Sequence, residues 1–348
     1  MKIKIVYVAT LVLVMSLSNC KKESPATGNS NQVTPYAELS LATASVTSIG
    51  VQTLYGTAHA PGALVNGNGS LARFYNPRGI QLMPDGTIYV ADTKNNAVRM
   101  ISPMGIVSTV PLQTSDTGIA LTEPIYIAVE YTTGKIHIIQ NLNADGDPFD
   151  QSWIFDTNGK FIATSSAYYT SAAALARDPY SDIAYFSNGG NIEQHLAQPS
   201  GEIYGSLVPF DYEKLEEPEK LALRGFRWDA IAIGYNKVVY FTTNGRIYKY
   251  TPGGVTERIF ANLKTSHITS MVFNKDSRTM YLADNGYIKR VDGNKLTVLA
   301  GPTGTNDGKD GAASTADVYA FGLALAKGEN SLYFTDLKAN TIRRIYLK

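Results

Sequence analysis

The chain ends in GPTGTNDGKDGAASTADVYAFGLALAKGENSLYFTDLKANTIRRIYLK, which runs from Gly301 to Lys348. Within it FGLAL, SLYFTD and NTIRRIYL are short apolar runs with alternating polar positions, and turn residues separate them. This alternation predicts a meander of β-strands. A second copy, GNGSLARFYNPRGIQLMPDGTIYVADTKNNAVRMISPMGIVSTV, runs from Gly67 to Val110. Two copies so far apart in one chain predict a repeat architecture.

Four degenerate copies lie between these two and align on the second strand of each repeat, strand b. Its six copies are Ile88–Asp92, Ile136–Gln140, Ala184–Asn188, Val239–Thr243, Met280–Asp284 and Leu332–Asp336. Tyrosine fills the second position in five of them, and roughly 40 to 55 residues separate successive copies, as in four-stranded propeller blades. A short run of small and apolar residues, strand a, precedes each copy. The six runs are Gly79–Leu82, Tyr126–Val129, Ala172–Leu175, Ala230–Ile233, Ser270–Phe273 and Gly322–Leu325. They predict innermost strands packed around a narrow axis.

The predicted fold is therefore an all-β, six-bladed β-propeller. The last blade has only three strands before the chain stops, and Gly50–Gly56 matches the outer-strand run Leu296–Gly301. We expect the N-terminal strand to complete the C-terminal blade, because this closes the ring and removes its open edges.

Two copies resemble the NHL repeat. The pattern N-P-R-G-I-x-L-x-x-x-G-x-I-Y-V-A-D-x-x-N-N-A-V-R-x-I runs from Asn76 to Ile101, and D-x-x-x-N-x-I-R-x-I runs from Asp336 to Ile345. The resemblance extends over about Ile49 to Lys348. It implies a propeller fold, but NHL propellers include binding scaffolds as well as enzymes, so it does not define a function.

Composition restricts the classes of partner. The chain has 348 residues, of which 44% are hydrophobic and 18% charged, and its formal net charge is +1. No basic block lies beyond the first residues and Lys21–Lys22. Because phosphate binding needs such a block, no nucleic-acid partner is predicted.

The beginning of the chain predicts export and a lipid anchor. Two lysines in Met1–Lys4 precede the apolar run Ile5–Leu17, which is too short to span a bilayer. Leu17-Ser18-Asn19-Cys20 resembles a bacterial lipobox, with Cys20, the only cysteine, as the acylated residue. An ordinary secretory signal is the alternative. The predicted organisation is a signal peptide over 1–19, a flexible tether over 20–48 and the propeller over 49–348.

The candidate binding site lies at one end of the axial channel. In a propeller, loops from the outermost strand of one blade to the innermost strand of the next share a face with the loops between the second and third strands. We call this the mouth face. The residues just before the innermost strands form a ring there: Arg78, Ile125, Ser171, Asp229, Thr269 and Phe321. Arg78 and Asp229 belong to opposite blades. Such a pair, with Trp228, His267 and Tyr319 nearby, predicts a site for a small polar ligand; the alternative is that the pair only closes the channel.

The last position of strand b is polar in all six copies: Asp92, Gln140, Asn188, Thr243, Asp284 and Asp336. We expect a structural role, with these side chains accepting hydrogen bonds from backbone amides in the following turn. Arg99 and Arg343 follow Asp92 and Asp336 by seven residues. Each arginine is predicted to form an ion pair with its aspartate across neighbouring strands.

The enzymatic alternative is a divalent-metal-dependent hydrolase or lyase. Propellers similar to gluconolactonases hold a cation on the axis, and the ring here supplies one carboxylate, Asp229. The four histidines of the chain do not recur at the same position of the repeat, so the zinc site of the amidating lyases is not predicted. These histidines are His59, His137, His195 and His267. His137 replaces tyrosine in the repeat column and is predicted to be packed. Two acidic loops are candidate calcium sites, with plain turns as the alternative; their carboxylates are Asp145, Asp147, Asp150, Asp307 and Asp310.

The predicted function is binding. A monomeric, rigid ring at the envelope of a Gram-negative bacterium would present its loops to a protein, peptide or glycan partner. It would contact the membrane only through its lipid anchor, and no resident cofactor is predicted. The Cys-Lys-Lys-Glu start is similar to lipoproteins of the Bacteroidetes, which implies the outer membrane or cell surface, the periplasmic face being the alternative. An enzyme acting at the mouth is the second reading, and a structural propeller that organises an envelope complex is the third.

Overall fold

The innermost strands contact one another in a closed circle around a central axis, in the order of the six blades. The structure is a computed structural model. It describes residues 50–114, 120–140, 151–165, 174–188, 191–197, 203–204, 207–208, 229–251, 254 and 256–347. The predicted signal peptide, the tether and Cys20 lie outside the described residues and stay predictions.

The strands are short and follow one another in chain order. The first ten are β1 (Gly50–Tyr55), β2 (Gly67–Asn68), β3 (Pro77–Leu82), β4 (Ile88–Asp92), β5 (Ala97–Ile101), β6 (Ile106–Thr109), β7 (Pro124–Val129), β8 (Ile136–Gln140), β9 (Gln151–Phe155) and β10 (Phe161–Ser165). The next ten are β11 (Leu175–Arg177), β12 (Ala184–Asn188), β13 (Asn191–Gln194), β14 (Leu196–Ala197), β15 (Ile203–Tyr204), β16 (Leu207–Val208), β17 (Ala230–Ile233), β18 (Val239–Thr243), β19 (Arg246–Tyr250) and β20 (Thr256–Ile259). The last eight are β21 (Ile268–Phe273), β22 (Thr279–Asp284), β23 (Tyr287–Asp292), β24 (Lys295–Ala300), β25 (Gly311–Ala312), β26 (Ala320–Leu325), β27 (Ser331–Asp336) and β28 (Thr341–Tyr346).

Six antiparallel sheets confirm the predicted six-bladed β-propeller. From the axis outward the blades are β3–β6, β7–β10, β11-β12-β13-β16, β17–β20, β21–β24 and β26-β27-β28-β1. Strands β2 and β25 add short outer pairs to blades one and six, and β14 and β15 form a separate small hairpin. The strands called b in the sequence are the second strands of these sheets.

The N-terminal strand completes the C-terminal blade, as predicted. Strand β1 pairs antiparallel with β28, with Val51 opposite Ile345 and Gln52 opposite Arg344. The amide and hydroxyl of Thr53 also donate to the carboxylate of Asp310, at 2.8 and 2.9 Å. The ring is thus closed by hydrogen bonds between the two ends of the repeat region, and β28 is paired on both sides, by β27 and by β1.

The hydrophobic core is divided among the blade interfaces. Each of the six interfaces has its own cluster of buried side chains, and each cluster combines residues of two successive blades. Phe74 and Val90 of blade one, for example, pack with Ile342 of blade six. Stability is therefore built from pairwise contacts between neighbouring blades, as in other repeat folds.

The third blade departs from the predicted alignment. Leu175 pairs with Phe186 in the register that Ile80 and Val90 occupy in blade one. The innermost strand is thus Leu175–Arg177 rather than the predicted Ala172–Leu175. The register thus moves by two residues, and the predicted ring residue Ser171 lies outside the described residues. The run of alanines around Ala174 made either alignment compatible with the sequence.

No helix among the described residues is long and apolar enough to span a bilayer.

Candidate functional site

The residues of the mouth ring lie where the innermost strands slip in register. The pairing of β3, β7, β21 and β26 with their second strands is interrupted at the ring position in each case. The interrupted segments contain Arg78, Ile125, Thr269 and Phe321. A bulge leaves a residue out of the ladder and turns its side chain away from the regular pleat. In blade four the ring residue Asp229 instead donates its amide to Thr242 O, at 2.7 Å, just ahead of β17.

Neighbouring innermost strands approach each other closely at this end of the channel. A Cβ atom on Gly322 would lie 2.4 Å from the carbonyl oxygen of Arg78 in the next blade. That same oxygen accepts a hydrogen bond from Thr335 Oγ1 at 2.6 Å, and Thr335 Oγ1 accepts one from the Gly322 amide at 2.9 Å. Thr269 Oγ1 likewise donates to Phe321 O at 2.8 Å. Small residues and hydroxyl bridges therefore hold the mouth at a fixed width.

A chain of contacts crosses the mouth between the two predicted charged residues. The Arg78 guanidinium lies 5.3 Å from the centre of the Phe321 ring, within the range of a cation–π contact. The Phe321 and Tyr126 rings are 5.9 Å apart. The Tyr126 hydroxyl donates to the backbone carbonyl of Asp229 at 2.9 Å. His267 Nδ1 then lies 4.0 Å from Asp229 Oδ1. The structure thus brings four predicted residues, Arg78, Phe321, Asp229 and His267, into one connected group.

Tyr126 is the residue that sequence reasoning missed. It occupies the position that other blades fill with small residues, namely Gly79, Ala174, Ala230, Ser270 and Gly322. A single large aromatic residue in a column of small ones was the available signal. Its side chain reaches from blade two to blade four across the channel.

The two charges at the mouth are held apart. No carboxylate of the described residues forms an ion pair with Arg78, whose Nε donates to Asn76 Oδ1 at 3.2 Å. Burial lowers the pKa of Arg78 from its ordinary value, while Tyr126 and Glu123 act in the opposite direction. Asp229 accepts a bond from the Asn244 amide at 2.9 Å, and the side chain of His267 is 62% exposed. The mouth therefore offers a partly desolvated cation and a separate carboxylate with an accessible imidazole.

Of the remaining predicted site residues, Tyr319 lies in a loop of the mouth face outside the connected group, and others lie outside the described part of the chain. Tyr319 packs between blades five and six, where its ring lies next to Gly286 and 5.4 Å from Lys338 Nζ. Trp228, Asp145, Asp147 and Asp150 are not among the described residues and stay predictions.

The two candidate calcium ligands of the last interblade loop, Asp307 and Asp310, form hydrogen bonds and an ion pair that stabilise this loop. Both oxygens of Asp310 accept bonds from Thr53, and Oδ1 also pairs with Arg343 at 2.9 Å. Asp307 Oδ1 accepts a bond from the Lys309 amide at 3.1 Å. Among the described residues, no group of three or more His, Cys, Asp or Glu side chains is arranged to hold a metal ion.

Buried ion pairs support the loops around the mouth. Arg99 binds Asp92 at 2.8 Å and Arg343 binds Asp336 at 2.7 Å, with all four side chains buried, which confirms the predicted pairs. Each arginine also donates to the preceding interblade loop, Arg99 to Arg73 O and Arg343 to Lys309 O. The arginines therefore fasten these loops to the sheets.

The predicted bonds from amides of the following turn are present at Asp336, but the polar ends of other second strands accept bonds from amides of the loop that enters the blade, as Asp92 and Asp284 do from Tyr75 and His267. Asp336 Oδ1 accepts bonds from the amides of Lys338 and Ala339 in the following turn, as expected. Its other oxygen accepts from the amide of Tyr319, in the loop that enters the blade. In blade two, where glutamine replaces aspartate, Gln140 Oε1 accepts from the Thr122 amide and from Trp153 Nε1, both at 2.9 Å. Different side chains thus perform the same fastening in different blades.

The channel behind the mouth has a volume of about 210 Å³ and is lined by innermost strands of all six blades. Its far end opens on the face formed by the turns between the first and second strands, which we call the turn face. Tyr131, Arg177, Pro179 and Tyr235 line the channel there.

Comparisons with known proteins support the fold. A model of the NHL repeat matches residues 74–99. No curated protein matches the chain. Among solved structures, a protein of unknown function from Bacteroides thetaiotaomicron is 17% identical over 86% of this chain and 76% of its own, with a TM-score of 0.63.

Two further solved structures carry functional descriptions. An auxiliary nutrient binding protein from Bacteroides ovatus is 14% identical over 86% of this chain and 76% of its own, with a TM-score of 0.59. Virginiamycin B lyase from Staphylococcus aureus is 14% identical over 86% of this chain and 100% of its own, with a TM-score of 0.54. At these identities the likeness concerns the fold alone.

Proposed function

We propose that the chain is a binding module of the bacterial cell envelope, which takes a small polar ligand, or a polar group of a protein, peptide or glycan partner, at the channel mouth. The observation that carries the proposal is the connected group from Arg78 through Phe321 and Tyr126 to Asp229 and His267. It places a donor and an acceptor at a fixed separation on aromatic walls, as ligand sites commonly do.

The separation of the charges favours a ligand over simple closure of the channel. If the pair only closed the mouth, we would expect Arg78 and Asp229 to neutralise each other directly. Instead Phe321 and Tyr126 stand between them. Arg78 is then available to an acceptor group, and the exposed imidazole of His267 to a second polar group of the same ligand.

The envelope location rests on other features. The segment up to Cys20 resembles a lipoprotein signal, and an acylated cysteine would anchor the chain in the outer membrane or at the cell surface. Two of the similar structures are auxiliary nutrient binding proteins from Bacteroides. A monomeric, lipid-anchored propeller that binds a nutrient or an envelope component agrees with both features.

The proposal is tested by a ligand screen on the full chain and matched variants. Amino acids, short peptides and neutral and acidic oligosaccharides would be screened by thermal shift, and hits measured by calorimetry. We expect Arg78→Ala and Asp229→Asn to weaken binding by about tenfold or more, because each removes a charged hydrogen-bonding group. Glu257→Gln, in the outer strand β20, is the control and should bind normally. A ligand that binds both mouth variants as tightly as the wild type would refute a site at the mouth.

A second candidate function is a hydrolase or lyase at the same mouth. It is favoured by the accessible imidazole of His267 beside the Asp229 carboxylate, an arrangement suited to proton transfer. Elemental analysis of protein purified without chelator, with melting in the presence and absence of EDTA, tests the metal-dependent form. One divalent ion per chain and turnover of lactones or esters that is lost in His267→Ala would favour the enzyme. Ligand binding without turnover would favour the binding module.

A further inference from the structure

Three successive blades carry a tyrosine in the turn between their first and second strands. These are Tyr131 in blade two, Tyr180 in blade three and Tyr235 in blade four. The turns are equivalent, because the residue that opens each one donates its amide back across the turn: Glu130 to Lys135 O, Asp178 to Ile183 O and Gly234 to Val238 O. No aromatic residue lies in the same turns of blades one, five and six, which are residues 83–87, 274–279 and 326–331. The three tyrosines therefore lie on one half of the turn face.

The three tyrosines converge at the end of the channel. The rings of Tyr180 and Tyr235 are 5.5 Å apart and nearly perpendicular. Burial, followed by the neighbouring Tyr131, raises the pKa of Tyr235. Tyr131 and Tyr235 line the channel together with Pro179. The cluster thus surrounds an opening rather than a closed surface.

Hydrogen bonds between blades hold the cluster in place. Asp182 of blade three accepts bonds from the amides of Tyr131 and Thr132 in blade two, at 2.7 and 2.6 Å. The Tyr131 hydroxyl donates to Leu82 O in blade one at 3.2 Å. The guanidinium of Arg177 lies 3.3 Å from the centre of the Tyr131 ring and supports it from one side. A site held in this way loses little conformational entropy when a ligand binds.

The arginine that contacts the tyrosine cluster is compensated within the protein. Arg177 is only 8% exposed, pairs with Asp182 at 3.0 Å and donates to Asp178 O at 2.7 Å. Its charge is therefore compensated within the protein, which disfavours an anionic ligand. The exposed surface belongs to the rings themselves, since Tyr180 is 58% and Tyr131 40% exposed. Each ring presents an apolar face and a phenol hydroxyl at its edge.

We propose that this tyrosine cluster on the turn face is a second binding site, and that its ligand is a neutral oligosaccharide. A pyranose ring has an apolar C–H face and a rim of hydroxyl groups, which match the ring faces and hydroxyls of the tyrosines. Neutral sugars need no charged partner, in agreement with the compensated arginine. A chain of such rings extends over several tyrosines, and the channel behind them has a volume of only about 210 Å³. The inference builds on the proposed binding function but locates this ligand on the opposite face from the mouth.

Native-gel affinity electrophoresis of the full chain tests the inference. Gels would contain single soluble polysaccharides, either neutral (α- and β-glucans, xyloglucan, mannan, arabinan) or acidic (polygalacturonate). We expect at least one neutral polymer to retard the wild type. Tyr180→Ala should weaken that retardation by about tenfold or more, because the most exposed ring is lost. Tyr180→Phe should retain most of it, since the stacking face remains. Tyr75→Ala, which removes a tyrosine that is 45% exposed in a loop of the mouth face, is the matched control.

The outcomes separate the two proposed sites. Loss of retardation in Tyr180→Ala but not in Tyr75→Ala supports the turn-face site, whatever the mouth variants show. Retardation that is lost in Arg78→Ala and kept in Tyr180→Ala places the sugar at the mouth, which overturns this inference and supports the mouth site. Retardation by acidic polymers only, by no polymer, or equally in all variants also overturns it.

Discussion

Nδ1 of His137 lies 2.8 Å from Nδ1 of His195, and the two imidazoles join blade two to blade three. Both rings are buried. Nε2 of His137 lies 2.9 Å from Oε1 of Glu130, whereas Nε2 of His195 has no hydrogen-bond partner in the described part of the chain. A short contact between two Nδ1 atoms needs one nitrogen to carry a hydrogen and the other to offer its lone pair. The two rings therefore cannot both be protonated while this contact exists.

The first prediction is that this interface weakens in acid. Burial, followed by the neighbouring His137, lowers the pKa of His195 well below its ordinary value. The unfolded chain then binds a proton at a higher pH, about 6.5, than the folded chain does. The contribution of His195 to stability is complete above about pH 6.5 and decreases as the pH falls below it, by at most about 1.4 kcal/mol per pH unit. Melting temperatures between pH 8 and pH 5 measure the effect.

Two variants isolate the contribution of this histidine. His195→Gln removes the titrating group and should flatten the pH dependence below pH 6.5, whereas His59→Asn, at an exposed position, should leave it unchanged. An identical acid response in wild type and His195→Gln would show that another group is responsible.

The second prediction concerns the buried arginine of blade six. Arg343 donates hydrogen bonds to the side chains of Asp336 and Asp310 and to the backbone oxygens of Asp317 and Lys309. Arg343→Met therefore leaves the buried carboxylate of Asp336 without its cation. We expect a loss of roughly 3 to 5 kcal/mol in the free energy of unfolding, measured in urea. Arg290→Met is the control because Arg290 pairs with Asp292 at the surface, both side chains being 41% exposed, and should cost less than about 1 kcal/mol. Equal losses in the two variants would contradict the fastening role of Arg343.

The third prediction tests the closure of the ring. Deleting Ile49–Gly56 removes β1, its pairing with β28 and the bonds from Thr53 to Asp310. The exposed edge and the opened interface should lower the melting temperature sharply. Deleting the eight residues Lys21–Gly28 of the predicted tether is the matched control and should have no effect. A normal melting temperature in the first deletion would show that the ring does not depend on its N-terminal strand.

The architecture could be predicted because each repeat contains residues that identify its strands. Three features depend only on residues that are close in sequence or repeated in register. They are the tyrosine column, the small residues of the innermost strands and the match of Gly50–Gly56 to an outer strand. They were sufficient for the six blades, the closing strand and the two buried Asp–Arg pairs. They failed in blade three, where several alanines in succession give no preference for one register.

The side-chain contacts of the candidate site join residues that occupy different positions in the repeat. Tyr126 meets Asp229 because its side chain spans the channel between blades two and four, which are not adjacent. His137 was expected to be packed, and it is, but its partner His195 follows a different strand of the next blade. Contacts of this kind require the twist and diameter of the ring, which periodicity alone does not provide.

The fourth prediction connects the width of the mouth with the proposed ligand site. A Cβ atom on Gly322 would lie 2.4 Å from the backbone oxygen of Arg78, and a backbone atom cannot move aside without moving the blade. Gly322→Ala should therefore push blades six and one apart, displace Arg78 from the Phe321 ring, and cost about 1 to 3 kcal/mol in the free energy of unfolding. Gly328→Ala is the control, because the nearest atoms to its Cβ would belong to the Asn330 side chain, at 3.8 Å. Urea unfolding measures the stability, and calorimetry with a ligand found for the mouth measures the second effect. A Gly322→Ala variant with wild-type stability would mean that the close approach of these two strands does not determine the geometry of the mouth.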